Sequence, residues 1–432
     1  MLRVHILRLI CNLAVVFGMN SVAVGQIILA ENHFDADAEG WTVVRTPTFV
    51  PVAESFTTWQ ATGGNPDGYL RHVDPNDSQI SLWSAPASYL GDKSGAYGGT
   101  LSFDLAQNLT SSNTNYDDVI LIGNGGVRLS YDVTYPPLTT WTNYQVALVE
   151  GNWHVGLVNG PIATATELYD VLSSLTALYI RAEYRSGADT DSLDNVVLAT
   201  FDPCPASEFN TSAEGWWTIN DASNERWEPG FGNPPGSFEA TDLVDGSLWH
   251  YLAPGKFLGN RTVNMGGTVE FDLYTTSVDA TLGDQIITLT GGGGVLRYQT
   301  SDLPVSGAWK HYSVPLLPSP EWKLNDGVTQ ATDNDFLLVL GSLRQFLIRG
   351  EYWSGPDVGR LDNVRFTFCH VCQLPGDVDE SGDVDLLDLP IFVDAVIGLP
   401  VTDAQRRCSD VNQDFRVDGR DVVAIVEAMP LP

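Results

Sequence analysis

One internal repeat limits what this chain can fold into. Gly-Thr-Leu-Ser-Phe-Asp-Leu at 99–105 returns as Gly-Thr-Val-Glu-Phe-Asp-Leu at 267–273, 168 positions further on. At the same interval Trp141 and Tyr144 return as Trp309 and Tyr312, and Ile180, Arg181, Glu183 and Tyr184 return as Ile348, Arg349, Glu351 and Tyr352. Leu-Asp-Asn-Val at 193–196 recurs at 361–364, and Phe34 with Glu39, Gly40 and Trp41 recurs as Phe209 with Glu214, Gly215 and Trp216. A period this long marks a duplicated domain and not a short-repeat solenoid. Each copy must therefore fold alike, around a core of its own.

Within each copy, short apolar or alternating runs are broken by Gly, Pro, Asn and Asp. Residues 101–105, 119–122, 144–148 and 178–184 read as strands. With 12 Trp, 15 Tyr, 17 Phe, 41 Gly and 24 Pro against 18% charged residues, strands and turns are favoured over helices. Many short strands between turn signals predict a two-sheet sandwich. One helix is expected, over 165–175.

The run from Phe-Asp and Gly-Trp at the start, through Leu-Ser-Phe-Asp-Leu, to Ile-Arg-Ala-x-Tyr-x-Ser-Gly and Leu-Asp-Asn-Val at the end resembles the laminin B (laminin domain IV) family. That resemblance implies jelly-roll β-sandwiches similar to carbohydrate-binding modules, used as non-catalytic extracellular modules.

The texture changes after Pro375. Asp377, Asp379, Ser381, Asp385 and Asp388 stand at positions 1, 3, 5, 9 and 12 of a loop, with Gly382 at the turn and the carbonyl of Asp383 at position 7. Thirty-three residues on, Asp410, Asn412, Asp414, the carbonyl of Arg416, Asp418 and Asp421 repeat the spacing, with Phe415 where the turn prefers glycine. This spacing lets a short loop wrap a hard cation such as Ca2+ in oxygen ligands. An apolar helix pattern follows each loop, through Leu389, Phe392 and Val396, and through Val422, Ile425 and Met429. The pair, each loop closed by Asp, resembles the dockerin domain. The resemblance implies calcium-dependent folding and docking onto cohesin modules through loop positions 10 and 11, here Leu386 and Leu387, then Gly419 and Arg420. The Ser-Thr style of recognition pair is absent. The alternative is a helix pair that binds calcium for its own stability and has no partner.

Basic Arg3 and Arg8, an apolar stretch and Ala23-Val24-Gly25 before Gln26 read as a secretory signal. Without it, 20 basic residues face 54 acidic ones, a formal charge of −34 that repels nucleic acid and anionic lipid and attracts divalent cations. Export favours disulfides among the remaining cysteines, with Cys204 to Cys369 and Cys372 to Cys408 preferred among three pairings; a metal site at Cys369-His370-Val371-Cys372 competes.

No Gly-x-Ser-x-Gly or His-Glu-x-x-His motif is present. Glu183 and Glu351 invite a glycosidase reading, yet each lies beside an arginine on a strand, and a fixed charge pair explains them better. Asp194 and Asn195, like Asp362 and Asn363, suit a structural calcium site completed by Asp35 in the first copy, with Asn210 standing at that position in the second. Trp59, Trp83, Trp153, Trp227, Trp249, Trp322 and Trp353 are candidates for stacking on sugars, Trp227 and Trp353 foremost as lacking counterparts, whereas Trp41, Trp141, Trp216 and Trp309 are expected in cores.

The chain is thus expected to be mainly β: a signal peptide at 1–25, tandem jelly-roll β-sandwich domains at 26–203 and 204–370, and a small all-α calcium-binding domain at 371–432. The function expected is that of a secreted protein and not an enzyme, its sandwiches binding glycan or matrix protein and its tail docking a cohesin-like module or surface protein. A polysaccharide-degrading enzyme and a purely structural spacer are the alternatives.

Overall fold

The structure is a computed structural model of the chain and describes residues 26–51, 57–74, 79–242, 247–279, 284–368, 372, 374–413 and 416–429. The expected signal peptide lies outside the described residues. Among those described, no helix is long and apolar enough to cross a membrane.

Each copy of the repeat is a sandwich of two antiparallel sheets. In the first, a six-stranded sheet runs in the order Thr142–Ala147, Thr100–Gln107, Thr190–Ala199, Asp67–Val73 and Thr57–Gly64, with Ile28–Asn32 also pairing with Thr190–Ala199. Facing it are His154–Val155, Arg128–Tyr131, Val119–Ile122, Ala177–Arg181, Ser81–Ser84, Thr42–Arg45 and Val50–Pro51. The reason is visible strand by strand. In Thr100–Gln107, Leu101, Phe103 and Leu105 enter the core and Ser102, Asp104 and Ala106 take the other face, the period-two pattern that a pleated strand imposes. Val119 and Leu121 meet them from the opposite sheet. Each such buried side chain stabilises by about 1.5–3 kcal/mol.

The second copy rebuilds this around Ser237–Asp242, Asp357–Phe366, Thr268–Thr275 and Lys310–Pro315 on one side, and His250–Leu252, Gln345–Arg349 and Gln285–Gly291 on the other. In both copies the long last strand bulges, and Asn195 and Asn363 sit there with φ of 49° and 51°. Asparagine tolerates this left-handed backbone better than most residues.

Two helices lie on the sandwiches. Helix α1, Ala165–Leu172, starts as read and stops three residues short of the expected end; α2, Asp333–Leu340, is its counterpart, which the sequence reading missed. Both begin in capping boxes, Thr164 with Glu167 and Thr332 with Asp335.

The sandwiches pack against each other. Ala147 and Val149 of the first join the core of the second, Tyr135 stacks on Trp217 at 3.9 Å, and Gln145 donates to the Glu214 carbonyl at 3.2 Å. A cleft of about 520 Å³ remains between them, bordered by Tyr131, His154, Thr290 and Arg344.

The tail has three helices where two were expected: α3 Asp388–Val396, α4 Asp403–Ser409 and α5 Asp421–Ala428. Helix α4 opens with a Thr402 and Gln405 capping box. Val378, Val384, Phe392, Cys408 and Ile425 form the tail's small core. The expected Cys372–Cys408 disulfide is present. Cys204 is also disulfide-bonded, while Cys369, its expected partner, lies outside the described residues. The tail touches the second sandwich through Arg416, which pairs with Asp333 at 2.8 Å, and through Arg407, whose guanidinium lies 5.2 Å from the Phe368 ring centre.

Candidate functional site

The first tail loop is organised by its last residue. Asp388, fully buried at the start of α3, accepts backbone N–H groups from Val378 at 2.6 Å, Asp379 at 2.9 Å and Asp385 at 2.8 Å, and so pulls both ends of the loop inward. Asp377 accepts from the amides of Ser381 and Gly382, each at 2.9 Å. Gly382 has φ of 100°, a conformation that glycine enters without strain. The result brings oxygen atoms of Asp377, Asp379 and Asp388 within 4.8 Å of one another. The carboxylates of Asp383 and Asp385 are not in that group; on the same loop the Ser381 hydroxyl points toward the Asp383 carbonyl at 3.4 Å, and Asp385 accepts from the Leu387 amide at 2.6 Å.

The second loop repeats the frame. Asp421 accepts from the amides of Asn412 at 3.1 Å and Asp418 at 2.9 Å, as Asp388 does from Asp379 and Asp385. It differs at Asp418, whose carboxylate is gripped by the Arg420 guanidinium at 2.6 and 3.1 Å; those hydrogen bonds lower its pKa to about 2. Leu387 stands at the position of Arg420 in the first loop, so the Asp385 carboxylate meets no such fork. Asp410 is buried beside Arg407, and the Arg416 side chain pairs with Asp333 of the second sandwich. Asp414 and Phe415 lie outside the described residues.

Both sandwiches carry the same buried polar cluster on the six-stranded sheet. In the first, Asp104 accepts from the side-chain amides of Asn65 at 3.0 Å, Asn195 at 2.9 Å and Asn143 at 2.7 Å, while Asp194 accepts from the backbone amides of Asn65 at 2.6 Å and Asn195 at 2.7 Å. In the second, Asp272 and Asp362 hold Asn233 and Asn363 in the same way, with His311 2.7 Å from Asp272 in place of Asn143. Burial raises the Asp194 pKa to about 7 and that of Asp362 to about 6. The carboxylate beside Asp194 is Asp104; the expected contributor, Asp35, is exposed.

A laminin B (domain IV) family model matches residues 82–214 and 250–378, both copies of the repeat. The chain belongs to the laminin B family. Among curated relatives, the basement membrane proteoglycan of Caenorhabditis elegans is 28% identical over 160 residues, which is 34% of this chain and 5% of that protein. Human laminin subunit alpha-1 is 32% identical over 155 residues, 31% of this chain and 5% of that protein. The chain thus spans about one twentieth of the length of these relatives. The solved L4b domain of human laminin alpha-2 aligns over 41% of this chain and 97% of its own, at 14% identity and a TM-score of 0.35.

The two laminin B domains correct several readings of single residues. Arg181 and Arg349 do not pair with the carboxylates of Glu183 and Glu351. Each arginine Nε donates to the glutamate's backbone carbonyl at 2.5 Å, and Arg181 pairs with Asp118. The glutamates instead accept backbone amides, Ser81 to Glu183 at 3.0 Å and Trp249 to Glu351 at 3.1 Å. Trp83, Trp153, Trp249 and Trp322 are core residues that no sugar reaches. Trp227 has a counterpart after all, since Trp59 and Trp227 donate to the carbonyls of Phe34 and Phe209, each at 2.6 Å. Trp353 is 40% exposed, as a ligand-facing ring requires.

Trp141 and Trp309 are not core. Trp141 meets Tyr69 edge-on at 5.3 Å. Trp309 groups with Tyr274 at 5.7 Å and Phe231 at 6.0 Å, and the Arg360 guanidinium lies 4.3 Å from the Phe231 ring centre and 5.0 Å from that of Tyr274. The signal for this platform was present in the alternation of Thr268–Thr275, where Tyr274 takes the face opposite to Phe271 and Leu273. Reading matched aromatics as core obscured it.

Proposed function

We propose that this is a secreted, non-catalytic modular protein. Its laminin B domains bind extracellular glycan or matrix protein, and its dockerin-like tail binds calcium and docks onto a cohesin-type module of a scaffold or surface protein. The observation that carries the docking half is an apolar ridge on the tail. Leu386 and Leu387 are 73% and 68% exposed at loop positions 10 and 11, and Val393 of α3, Ile397 just past its end, and Val422, Val423 and Val426 of α5 are exposed aliphatic side chains as well. So much exposed aliphatic surface on a tail with a small core fits a protein partner better than water. The three gathered carboxylates beside the ridge supply hard oxygen ligands suited to calcium, which links metal loading to its shape.

The sandwich half is supported by family membership and by the Phe231, Tyr274, Trp309 and Arg360 platform, whose ring faces match the C–H faces of sugars. A hydrolase reading is not favoured, since Glu183 and Glu351 are buried and hydrogen-bonded to backbone amides instead of flanking an open cleft.

The full chain is to be tested for capture of a cohesin module in calcium and in chelator, beside Leu386→Asp/Leu387→Asp. Calcium-dependent capture lost in the variant is the expected result; capture indifferent to both removes the docking reading. A glycan array with Trp309→Ala as comparison tests the sandwiches, and an array without any hit favours the structural spacer.

A further inference from the structure

We propose that the cleft between the two laminin B domains binds an acidic saccharide, a sugar bearing a carboxylate or sulfate, with the Arg344 guanidinium as the partner of its anion. This deepens the glycan reading of the sandwiches and rests on it, but it uses a different surface from the Phe231, Tyr274, Trp309 and Arg360 platform.

The two walls are held to each other at close quarters. Gly255 of the second domain lies so near the strand Thr142–Ala147 of the first that a Cβ on it would stand 2.4 Å from the Gln145 carbonyl oxygen. Gly151 of the first domain, with φ of 110°, leaves room for the Arg344 side chain, since a Cβ there would stand 2.3 Å from Nε. Asn152 donates to the Arg344 backbone carbonyl at 3.4 Å. The cleft's volume of about 520 Å³ falls within the roughly 300–1,000 Å³ common to small-ligand sites.

The second domain supplies a polar wall. Thr290 and Gln345 stand opposite each other where Gln285–Gly291 pairs with Gln345–Arg349, and their neighbours Leu289 and Phe346 enter the core, so both project from the outer face that borders the cleft. Beside them the Nε of Arg344 is buried without a hydrogen-bond partner, and its guanidinium pairs with no carboxylate among the described residues. In the first domain the same face is apolar. Ile122 and Ala177 stand at the positions of Thr290 and Gln345 and pack with Leu82, Ile120 and Tyr179. Thr176 stands at the position of Arg344 and turns its hydroxyl to the Ile122 carbonyl at 2.9 Å. The sandwich therefore folds without these polar groups, and the three positions differ together where the cleft lies.

The first domain adds Tyr131 and His154 to the lining. Burial pushes the Tyr131 hydroxyl up to about 12, so it remains a donor. His154 engages the Gly160 carbonyl through Nδ1 at 2.8 Å, which leaves Nε2 as its other hydrogen-bonding atom. The acid in the lining, Asp132, accepts from Asn115 at 3.2 Å. In a chain with 54 acidic residues against 22 basic ones, an arginine without a carboxylate partner suits a ligand that brings its own anion. Its planar fork matches a carboxylate or a tetrahedral oxyanion in two parallel hydrogen bonds. The neutral hydroxyl and amide beside it suit sugar hydroxyls, which both donate and accept.

The test titrates the full chain calorimetrically, in chelator, with a uronic acid trisaccharide, a sulfated trisaccharide, a neutral trisaccharide and inorganic sulfate. An acidic trisaccharide should bind at least tenfold more tightly than the neutral one, and the better of the two acids tells carboxylate from sulfate. Arg344→Gln should weaken that binding by about tenfold or more, whereas Trp309→Ala leaves it unchanged. Equal binding of the neutral sugar, equal binding of inorganic sulfate, or affinity unchanged in Arg344→Gln overturns the proposal. Binding lost in Trp309→Ala and kept in Arg344→Gln overturns the cleft alone and returns the ligand to the platform. No binding of any trisaccharide also overturns the cleft, and the glycan reading falls with it only if the array is empty too. Should Arg344→Gln fail to fold, Gln345→Ala removes a neighbouring group from the same wall; a loss of about threefold or more supports the site, and unchanged affinity contradicts it.

Discussion

At the scale of single residues, Asp194 and Asp362 make a prediction about pH. Their pKa values in the fold, about 7 and about 6, lie above the ordinary 3.8, chiefly through burial. The folded state therefore holds protons that the unfolded chain releases. Their contribution to stability is full below about pH 4 and declines as pH rises through about 6 to 7. Urea midpoints measured in chelator should fall between pH 4.5 and 7.5. Asp194→Asn should flatten part of that slope, and also lower stability by about 1–3 kcal/mol, because its new amide faces the Asn65 N–H. An unaltered slope in the variant would contradict the assignment. The Leu-Asp-Asn-Val repeat made Asp194 and Asp362 visible in the sequence. Their partners were not, since Asn65 and Asp104 lie 129 and 90 residues away along the chain and only the folded sheet brings them together.

At the scale of elements, strands were legible because their period-two alternation is local, as in Leu101, Phe103 and Leu105. Helix α2 was not. Its Phe336-Leu337-Leu338-Val339-Leu340 reads as a buried strand, and the helix is set by the Thr332 and Asp335 capping box. The 168-residue interval from α1 would have located it. Thr164→Ala and Thr332→Ala should each lower stability by about 1 kcal/mol, measured by urea unfolding, and Ser at either position should preserve it. Helix α4 was missed in the same way, as its Thr402 and Gln405 signature is short and lies between two more conspicuous loops. The two tail loops were legible as a spacing of oxygen-bearing side chains, because that spacing is written in consecutive residues. The Arg420 grip on Asp418 and the Arg416 tie to Asp333 depend on three-dimensional placement that spacing does not encode.

At the scale of the whole molecule, two sandwiches with large cores carry a tail with a small one. Such a tail depends on cross-links. The Cys372–Cys408 disulfide joins the segment before the first loop to the end of α4. Cys372→Ser should destabilise the tail by about 2–4 kcal/mol and leave the sandwiches folded, seen as faster proteolysis confined to residues beyond 372. An equally cleaved sandwich would show that the tail and its neighbour unfold together through the Arg416 and Asp333 contact. The central claim, that the tail is shaped by calcium, is tested most directly by hydrogen exchange of the full chain in calcium and in chelator. The account predicts that amides at 377–388 and 410–421 and in α3 and α5 lose protection when calcium is removed; exchange in these segments that is the same in both conditions would contradict it.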